Sequence, residues 1–451
     1  MHTIYIALGS NLGDRAGNIH AALRALGEIG QVRDTSFLYE TPPAYVADQP
    51  PFLNAVCRLE MAHAPLELLG ALKQIERRLG RVKTVRYGPR AIDLDILFFD
   101  DLSVDEPSLT IPHALMAERA FVLQPLCDIA PEMKHPVTGR SVREMNAQLG
   151  APPLQRVMPF GKGVWRWGGP TCVMGIINAT PDSFSGDGMG RPGVDAVVRA
   201  VAQAEQMAAD GAHCVDIGGM STRPGHELIS VDEEMDRVLS VIAAIHDQVN
   251  LPISVDTFRA EVAEEAISAG ATLINDVWGL RFDARVADVA AKAGAPLVVM
   301  HNRSRFSAAG YESRLGAQLP PYEYTDLLGE ISAELRQGVR MAQARGVARW
   351  NLIADPGIGF GKTVEQHLQL IRELDRLDVD ELPILFGPSR KSFIGKVLGG
   401  LAAPERVEGT IAACVMAIAR GAAILRVHDV RAVSRAARMA DAILGKSGPF
   451  G

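Results

Sequence analysis

Val173-Met-Gly-Ile-Ile-Asn-Ala-Thr-Pro-Asp-Ser-Phe-Ser185 is the stretch that decides how the longer part of this chain folds. It opens with a continuous apolar run, which is typical of a strand buried on both faces of a parallel sheet. It then becomes polar at Asn178, Thr180 and Asp182. A buried strand that ends in polar side chains and a loop forms one wall of the site in many α/β proteins. We therefore expect an α/β fold here, with a site at the carboxyl ends of its strands.

The composition is that of an ordinary globular protein. Of 451 residues, 47% are hydrophobic and 22% are charged, and the length predicts two or three domains. The formal net charge of −7 argues against a nucleic-acid partner. No apolar run is long enough to span a bilayer, and the N-terminus is typical of a strand rather than a signal peptide. The five scattered cysteines lack Cys-x-x-Cys spacing, which favours a reduced, cytoplasmic protein without zinc.

Residues 1–158 predict a first domain with the element order β-α-β-β-α-β. Its first helix is indicated by Ile19, Leu23 and Leu26, which fall on one face at helical spacing. The order is that of a ferredoxin-like α+β sheet. The second domain is expected to span residues 159–451, and residues 164–169 to form a small strand that covers its bottom.

A basic loop and a pair of aspartates carry the chemistry predicted for the first domain. Residues 81–90 contain four basic residues and no acid. The following strand places Asp93 and Asp95 on one face, because side chains alternate along a strand. Two adjacent carboxylates repel each other unless a cation lies between them, which favours Mg²⁺. Either motif alone indicates only a solvated loop or a polar sheet edge, but together they predict nucleoside triphosphate binding.

Seven short motifs occur in order through the first domain. They are Ala7-Leu-Gly-Ser-Asn-Leu-Gly13, Thr41-Pro-Pro43, Phe52-Leu-Asn54, Arg86-Tyr-Gly-Pro-Arg90, Asp93-Leu-Asp95, Ile111-Pro-His113 and Arg119-Ala-Phe121. On these motifs the domain resembles 6-hydroxymethyl-7,8-dihydropterin pyrophosphokinase. The resemblance implies that pyrophosphate is transferred from ATP to the pterin hydroxymethyl group and that AMP is released.

This resemblance also implies roles for individual residues. It implies that Asp93 and Asp95 bind two Mg²⁺ ions carried by ATP. It also implies that Arg81, Arg90 and His113 contact the triphosphate. A flat heteroaromatic ring calls for aromatic stacking on its faces and polar groups at its edge. By the resemblance, the pterin is bound in this way by Phe52, Phe121, Asn54 and Thr41, and Tyr87 is a further expected substrate-binding residue. Tyr87 and Lys83 depart from the family, which usually has Trp and Arg at these positions.

The second domain repeats a helix-then-strand pattern. Gly-Ala pairs at Gly211, Gly270, Gly294 and Gly421 each precede an apolar segment. Glycine at a helix end allows the left-handed turn into the next strand. Together with residues 173–177 and three less regular copies, about eight βα units are predicted, which is the count of a (β/α)₈ TIM barrel.

Polar residues follow nearly every predicted strand of this barrel. In chain order they are Asn178, Asp216, Asp256, Asn275, His301, Asp355, Ser389-Arg390-Lys391, Arg426 and His428. Capping alone does not explain such a set, and barrel active sites lie at that face. The glycine-rich residues 357–363 are not a phosphate-binding loop, because Pro356 stands where that motif needs glycine. We expect a tight strand-to-helix turn that places Asp355 and Phe360.

Eight segments of the second domain recur in the order of a second family. They are Asn178-Ala-Thr-Pro-Asp-Ser-Phe-Ser185, Asp216-Ile-Gly-Gly219, Ser221-Thr-Arg-Pro-Gly225, Ser254-Val-Asp-Thr257, Ile274-Asn-Asp276, Asp355-Pro-Gly-Ile-Gly-Phe-Gly-Lys362, Ser389-Arg-Lys391 and Arg426-Val-His428. On these segments the domain resembles dihydropteroate synthase from end to end. The resemblance implies condensation of the pterin pyrophosphate with p-aminobenzoate, to give 7,8-dihydropteroate and pyrophosphate.

The second resemblance assigns residues to three parts of the site. The pterin contacts it implies are Asp256, Asn275, Asp355, Lys391 and Phe360, with Asp256 and Lys391 catalytic. Asn178 belongs to one Mg²⁺–pyrophosphate site, and the leaving pyrophosphate is bound by Thr222, Arg223, Arg426 and His428. Ser389 matches the surroundings of p-aminobenzoate. Met220 and Asn302 depart from the family, which usually has Glu and Met there.

Two alternatives stand beside this interpretation. A barrel methyltransferase that binds a reduced folate shares the pterin-holding Asp and Asn, but it needs neither Ser389-Arg-Lys391 nor a pyrophosphokinase partner. A non-catalytic scaffold role for the first domain is disfavoured by its intact Asp93, Asp95, Arg90 and His113. The resemblance also implies a homodimer formed through the second domain.

Overall fold

A computed structural model describes residues 1–44, 46, 48–82, 88–179, 194–220, 226–303, 314–315 and 323–446. The chain forms two compact units. The first comprises Met1–Trp167 with Ala348–Asn351, and the second comprises Gly168–Val347 with Leu352–Gly451. The first unit therefore extends past the boundary expected at residue 158.

The first unit is an α+β domain, as predicted. Its strands are β1 (His2–Ser10), β2 (Gln31–Thr35), β3 (Leu38–Thr41), β4 (Phe52–Met61), β5 (Asp93–Phe99), β6 (Val104–Glu106), β7 (Leu109–Ile111), β8 (Gln155–Phe160) and β9 (Gly163–Arg166). Its helices are α1 (Arg15–Gly27), α2 (Pro65–Arg78), α3 (Ala120–Ile129) and α4 (Val142–Leu149). The main sheet has the order β5-β1-β4-β3-β8-β9, and β2 also pairs with β4.

Two local expectations for this unit are wrong. The predicted order β-α-β-β-α-β takes residues 32–40 as a single strand, but they form two strands, β2 and β3. The segment expected to cover the bottom of the second domain forms β9, which pairs antiparallel with β8 in the first sheet. Short polar-apolar runs such as Gly163–Arg166 carry no signal for which sheet they join, because register and partner are set by tertiary packing.

Alternation along β1 explains how the first sheet is covered on both faces. Ile4, Ile6 and Leu8 lie in the hydrophobic cluster that includes α1 and α2. Tyr5, between them, lies in a second cluster with residues of α3 and α4. Because successive side chains of a strand point to opposite faces, one strand contributes to both cores.

The second unit is a closed barrel. Its strands are β10 (Cys172–Asn178), β11 (Cys214–Gly218), β12 (His226–Glu227), β13 (Ile253–Asp256), β14 (Leu273–Asp276), β15 (Leu297–Met300), β16 (Arg314–Leu315), β17 (Leu352–Asp355), β18 (Ile384–Phe386) and β19 (Ala422–Val427). Its helices are α5 (Val194–Ala209), α6 (Val231–Gln248), α7 (Ala260–Ser268), α8 (Arg285–Ala293), α9 (Leu327–Ala344), α10 (Val364–Arg372), α11 (Ser392–Val397), α12 (Val407–Ala419) and α13 (Val430–Ile443). The barrel order is β10-β11-β13-β14-β15-β17-β18-β19, and β12 pairs with β16.

The predicted glycine turns between the helices and strands of the barrel are confirmed. Gly211, Gly270, Gly294 and Gly421 all adopt positive φ at the turn from a helix into a strand. The eight barrel strands lie where the apolar segments predicted them. Every residue of β11 and β15 is buried, as expected for parallel strands covered on both faces. No helix among the described residues is long and apolar enough to cross a membrane.

Two candidate active sites

The first unit contains a cavity of about 270 Å³ that is lined by residues of four neighbouring strands, β5, β1, β4 and β3. It collects the first-domain residues expected to bind substrate, apart from Tyr87. The residues it brings together are Arg81, Arg90, Asp93, Asp95, Thr41, Phe52, Asn54, His113 and Phe121. Tyr87 and Lys83 lie outside the described residues. Motifs far apart in the chain therefore meet in one place.

The two carboxylates of β5 occupy different electrostatic environments. Asp93 and Asp95 lie opposite Gly9 and Ala7 of β1, so both carboxylates emerge on one face. Arg90 Nη1 lies 2.6 Å from Asp93 Oδ2, and Arg81 also donates to Asp93. Burial alone would raise the pKa of Asp93, but the two guanidinium groups hold it below its usual value. Burial and the Asp93 charge raise the pKa of Asp95.

Asp93 and Asp95 fit a magnesium ion whose remaining coordination positions are filled by a bound ligand and water. No group of three or more His, Cys, Asp or Glu side chains suited to a metal occurs among the described residues. Mg²⁺ commonly binds one or two carboxylates and takes its other ligands from substrate phosphates and water. Asp93 and Asp95 present hard oxygen donors on the cavity wall, so the donor set matches that pattern.

A buried glutamate links the cations of the cavity to β5. Glu76 of α2 is 2% exposed and accepts hydrogen bonds from Arg81 and from the backbone N–H of Leu94, the latter at 2.9 Å. Lys73 Nζ lies 3.0 Å from both of its carboxylate oxygens. Glu76 thus fixes Arg81 and Lys73 beside the strand that carries Asp93. Sequence reasoning missed this contact, because α2 and β5 meet only in the folded sheet.

The other end of the cavity suits a flat ring. Asn54 Nδ2 donates to Thr41 Oγ1 at 2.7 Å, and both side chains are buried. Phe52 and Phe121 are half-buried and line the same cavity. Arg119, whose guanidinium lies 5.6 Å from the Phe121 ring centroid, also lines it. Arg119 and Lys73 were not predicted as site residues, although Arg119 stands beside a predicted ring.

The second site lies at the carboxyl ends of the barrel strands. Arg426 at the end of β19 donates to Asp216 Oδ2 at 2.5 Å and to Asp256 Oδ2 at 2.6 Å. Asn275 Nδ2 donates to Asp216 Oδ2 at 3.0 Å. One guanidinium therefore lies between two buried carboxylates. Burial raises the pKa of Asp256 to about 7, and the attraction of Arg426 only partly offsets this.

Three polar atoms of this cluster lack a hydrogen-bond partner within the described part of the chain. They are Asp216 Oδ1, Asn275 Oδ1 and Ser254 Oγ, and all three are buried. Two of these atoms only accept hydrogen bonds, and the Ser254 hydroxyl can also accept. Buried polar atoms of native proteins are normally satisfied, so their donors must come from a bound molecule or water. A heterocycle with several N–H groups has the matching chemistry.

Residues 355–363 form the tight turn predicted from the sequence. β17 ends at Asp355 and α10 begins at Val364, with Thr363 as its side-chain cap. Gly359 has φ +88°, and a Cβ there would lie 2.6 Å from Lys391 Cδ, so glycine is needed for Lys391 to approach. Lys391 Nζ lies 4.2 Å from the Phe360 ring centroid. The turn therefore gathers Asp355, Phe360 and Lys391.

A half-buried lysine, Lys362, holds this turn in place. Lys362 Nζ donates to the carbonyls of Gly357 at 3.0 Å and Phe360 at 3.3 Å, and lies 3.2 Å from His301 Nδ1. Burial lowers its pKa to about 7. The lysine of this glycine-rich segment thus bonds carbonyls of its own turn, which agrees with rejecting a phosphate-binding loop.

The remaining predicted residues of this site are partly described. Ser389 Oγ lies 2.9 Å from His428 Nδ1 and accepts from the His428 backbone N–H at 3.1 Å. Asn178 ends β10 and is half-buried. Thr222 and Arg223 lie outside the described residues. Met220 packs with Phe258, Trp278 and Met300 in an apolar cluster.

The comparisons with known proteins match both units. Residues 5–131 match the family 7,8-dihydro-6-hydroxymethylpterin-pyrophosphokinase, and residues 174–428 match the pterin binding enzymes. The mitochondrial folate synthesis bifunctional protein of Arabidopsis thaliana is 40% identical, over 98% of this chain and 83% of its own length. The dihydropteroate synthase of Bacillus subtilis is 45% identical, over 62% of this chain and 90% of its own length.

Solved structures and a longer relative extend the comparison. The crystal structure of HPPK-DHPS in complex with substrates superimposes with a TM-score of 0.80 at 19% identity, covering 98% of this chain and 100% of that one, which shows the fold. The folic acid synthesis protein fol1 of Pneumocystis carinii is 40% identical over 98% of this chain, which spans 60% of its length. The chain belongs to the bifunctional folate-synthesis enzymes, in which a hydroxymethyldihydropterin pyrophosphokinase domain and a dihydropteroate synthase domain occur together.

Proposed function

We propose that both units of this chain are active and that the first makes the substrate of the second. The first transfers pyrophosphate from ATP to 6-hydroxymethyl-7,8-dihydropterin, and the second condenses the product with p-aminobenzoate. The observation that carries the proposal is the convergence of Asp93, Asp95, Arg81 and Arg90 in one cavity with Phe52, Phe121 and Asn54. A polyanion site and a ring site side by side are what this transfer needs.

In the first reaction, the pterin hydroxymethyl oxygen attacks the β-phosphorus of ATP. The bond from that phosphorus to the oxygen shared with the α-phosphate breaks, AMP leaves, and the hydroxyl proton is lost. Arg81, Arg90 and His113 neutralise charge on the triphosphate, and we add Lys73 and Arg119 to this set. Phe52 and Phe121 hold the ring on its two faces, and Asn54 and Thr41 bond its edge.

We propose two Mg²⁺ ions at Asp93 and Asp95 in the ATP complex, and one near Asn178 in the second unit. Bound Mg²⁺ supplies charge stabilisation at phosphate oxygens. Arg81 and Arg90 contact Asp93 in the structure, and their remaining N–H groups would bind the triphosphate. Tyr87 is proposed to contact the first site as well.

In the second reaction, the bond between the pterin methylene carbon and the pyrophosphate oxygen breaks. The aniline nitrogen of p-aminobenzoate forms the new C–N bond and loses a proton to solvent. Arg426, His428, Thr222 and Arg223 bind the leaving pyrophosphate, and the Asp256 carboxylate stabilises positive charge on the methylene. The pterin is held by Asn275, Asp355, Lys391 and Phe360, and Ser389 lies near p-aminobenzoate.

One coupled assay tests the proposal. Purified chain is mixed with 6-hydroxymethyl-7,8-dihydropterin, ATP, Mg²⁺ and p-aminobenzoate, and AMP and dihydropteroate are both followed. We expect both products, with dihydropteroate appearing after a lag. AMP alone would contradict the proposed synthase activity. If neither product forms, the chain is given pterin pyrophosphate and p-aminobenzoate directly, and absence of dihydropteroate there as well would contradict both assignments. Dihydropteroate formed only from supplied pterin pyrophosphate would leave the first unit as a scaffold.

We further propose a homodimer through the second unit. Exposed apolar side chains cluster on the adjacent helices α12 and α13 and just beyond, at Met416, Met439, Ile443 and Leu444, with Ile443 73% exposed. Such a patch is typical of a protein interface. Sedimentation should give twice the mass of one chain, and Ile443→Lys should shift it towards the monomer. A monomeric wild type would refute the dimer.

Cytoplasmic localisation remains our proposal for this chain. All five cysteines are free and four of them are buried, which fits a reducing compartment. Two plant relatives are named as mitochondrial proteins, so cell fractionation of the native protein is the deciding measurement.

A further inference from the structure

Arg390 adopts an unusual backbone conformation between two proposed substrate residues. It lies between Ser389 and Lys391, and its φ is +57°. Residues other than glycine seldom take this left-handed conformation, and where they do the surrounding structure imposes it, frequently at functional sites. The contacts around Arg390 therefore show what the conformation serves.

Helix α12 holds the Arg390 backbone from one side. The Arg390 N–H donates to Thr410 Oγ1 at 3.0 Å, and its carbonyl accepts from Arg406 Nη1 at 2.9 Å. Thr410 is fully buried. Both backbone polar groups of Arg390 are thus satisfied by side chains of the first turn of α12, which fixes the loop after β18.

The Arg390 side chain reaches the neighbouring loop. Its Nη2 lies 2.7 Å from Asp429 Oδ1, and its Nε lies 3.0 Å from Asp429 Oδ2. Both side chains are about one-fifth exposed, at 17% and 21%. This two-point geometry is specific to arginine and fixes direction as well as distance.

Asp429 does not cap the helix that follows it, although it stands at the N-cap position. It is the residue immediately before α13, where an aspartate normally accepts hydrogen bonds from the first helical N–H groups. Its side chain makes no such bond in this structure. The carboxylate is directed to Arg390 instead, so the pairing is a property of the loops rather than of the helix end.

We propose that the Arg390–Asp429 pair is a positioning clamp for the synthase site. It joins the loop after β18, which carries Ser389 and Lys391, to the loop after β19, which carries His428. Arg390 itself contacts no substrate in this proposal. The clamp fixes Lys391 and the Ser389–His428 contact relative to each other, and it rests on the proposed synthase function.

A glycine variant at position 390 tests the side-chain contact without introducing backbone strain. Arg390→Gly removes the side chain but accepts the left-handed φ at no steric cost. Asp429→Asn keeps the shape and removes the charge. Arg420→Ala, which breaks an exposed 3.0 Å pair with Asp375 elsewhere on the barrel, is the matched control. The full-length chain is used, and pyrophosphokinase activity serves as an internal standard for active protein.

The measurements are kcat and KM for the pterin pyrophosphate and p-aminobenzoate, with unfolding followed in parallel. We expect Arg390→Gly and Asp429→Asn each to lower synthase kcat/KM by roughly 100-fold, the cost of a small misplacement of catalytic groups. The double variant should be little worse than either single one, since paired residues are not additive. Arg390→Lys should recover part of the loss, and Arg420→Ala should have no effect.

Two results would overturn the clamp. One is synthase kcat/KM within about twofold of wild type in Arg390→Gly, well below the change expected from misplacement. The other is a loss explained entirely by a smaller folded fraction, with KM unchanged. A wild-type chain without synthase activity would instead refute the proposed function, and the inference would fall with it.

Discussion

The two candidate sites distribute charge in opposite ways. In the first unit, Lys73, Arg81, Arg90 and Arg119 line one cavity with only two carboxylates. At the barrel mouth, Asp216 and Asp256 flank one guanidinium, that of Arg426. The pKa values shift in opposite directions as a result. The pKa of Asp93 is held below its ordinary value, whereas the pKa of Asp256 is raised to about 7.

This difference reflects what each substrate brings. In our proposal the first site binds ATP, a polyanion, and its cations are held by carboxylates that would bind Mg²⁺ once ATP is present. The buried acceptors of the barrel site, with their raised proton affinity, are proposed to bind the pterin ring, which brings N–H donors and little charge, whereas the pyrophosphate of the same substrate is assigned to Arg426, His428, Thr222 and Arg223. Both arrangements are complementary to the proposed ligand, and in the barrel site three buried polar atoms have no partner among the described residues.

The largest expected effect tests whether the two sites are independent. Asp93→Ala with Asp95→Ala removes both carboxylates proposed to bind Mg²⁺, and we expect AMP release to fall by roughly 1,000-fold or more. Synthase activity on supplied pterin pyrophosphate should be unchanged. The two rates are measured on one preparation of the double variant.

Loss of both activities in this variant would contradict the independence of the two sites, because it would show that the units do not work separately. The control is Asp101→Ala, an exposed acid just after β5 that lines no part of the cavity. It should leave both rates within about twofold of wild type, as expected for a surface change.

The next effect concerns Arg426, the guanidinium that contacts both Asp216 and Asp256 in the barrel site. Arg426→Ala leaves Asp216 and Asp256 facing each other without a cation, and it removes a proposed pyrophosphate contact. We expect synthase kcat/KM to fall by roughly 100- to 1,000-fold, while AMP release is retained. Arg426→Lys keeps the charge but cannot bridge both carboxylates, so it should recover only part of the activity. Full activity in Arg426→Lys would contradict the bridging role.

A smaller effect is the pH dependence of the two reactions in one chain. If the ionised Asp256 is required, synthase kcat/KM should fall about tenfold for each unit below an apparent pKa near 7. Asp93 stays ionised to much lower pH, since its pKa is held below the ordinary value. AMP release should therefore persist at pH values where synthase activity is lost. Parallel profiles that fall together would contradict the assignment.

The raised pKa of Asp256 also predicts the direction in which the stability of the barrel changes with pH. Its raised folded pKa means that the native barrel binds this proton more tightly than the unfolded chain does. Its contribution is therefore present at low pH and is lost as pH rises from about 4 to about 7. Asp256→Asn cannot titrate and should flatten the dependence of the unfolding free energy over that range. An unchanged slope in this variant would contradict the raised pKa.

The sequence predicted the parts of this picture that are local or periodic. Four Gly-Ala repeats, residues 173–177 and three less regular copies together predicted about eight strands. Polar residues at the strand ends predicted a site, because parallel strands place their carboxyl ends together. It did not predict Glu76, Lys73 or the Arg390–Asp429 pair. Those contacts join elements far apart in the chain, and a charged residue on a helix has the same sequence pattern whether it is solvated or buried. The expectation for residues 164–169 was wrong for the same kind of reason, since tertiary packing decides that β9 pairs with β8.

The smallest expected effect separates stability from chemistry at a departure from the family. Met220 is 8% exposed and packs in the apolar cluster beside the synthase site. Met220→Ala should lower the unfolding free energy of the barrel by about 2 kcal/mol, because it leaves a cavity. Met416→Ala, at 46% exposure, should change it by no more than about 0.5 kcal/mol. Loss of synthase activity on heating, with AMP release as the reference for the other unit, assigns the transition to the barrel. A normal unfolding temperature with strongly reduced kcat would instead place Met220 in the catalytic chemistry, and the apolar cluster would then be part of the site rather than its support.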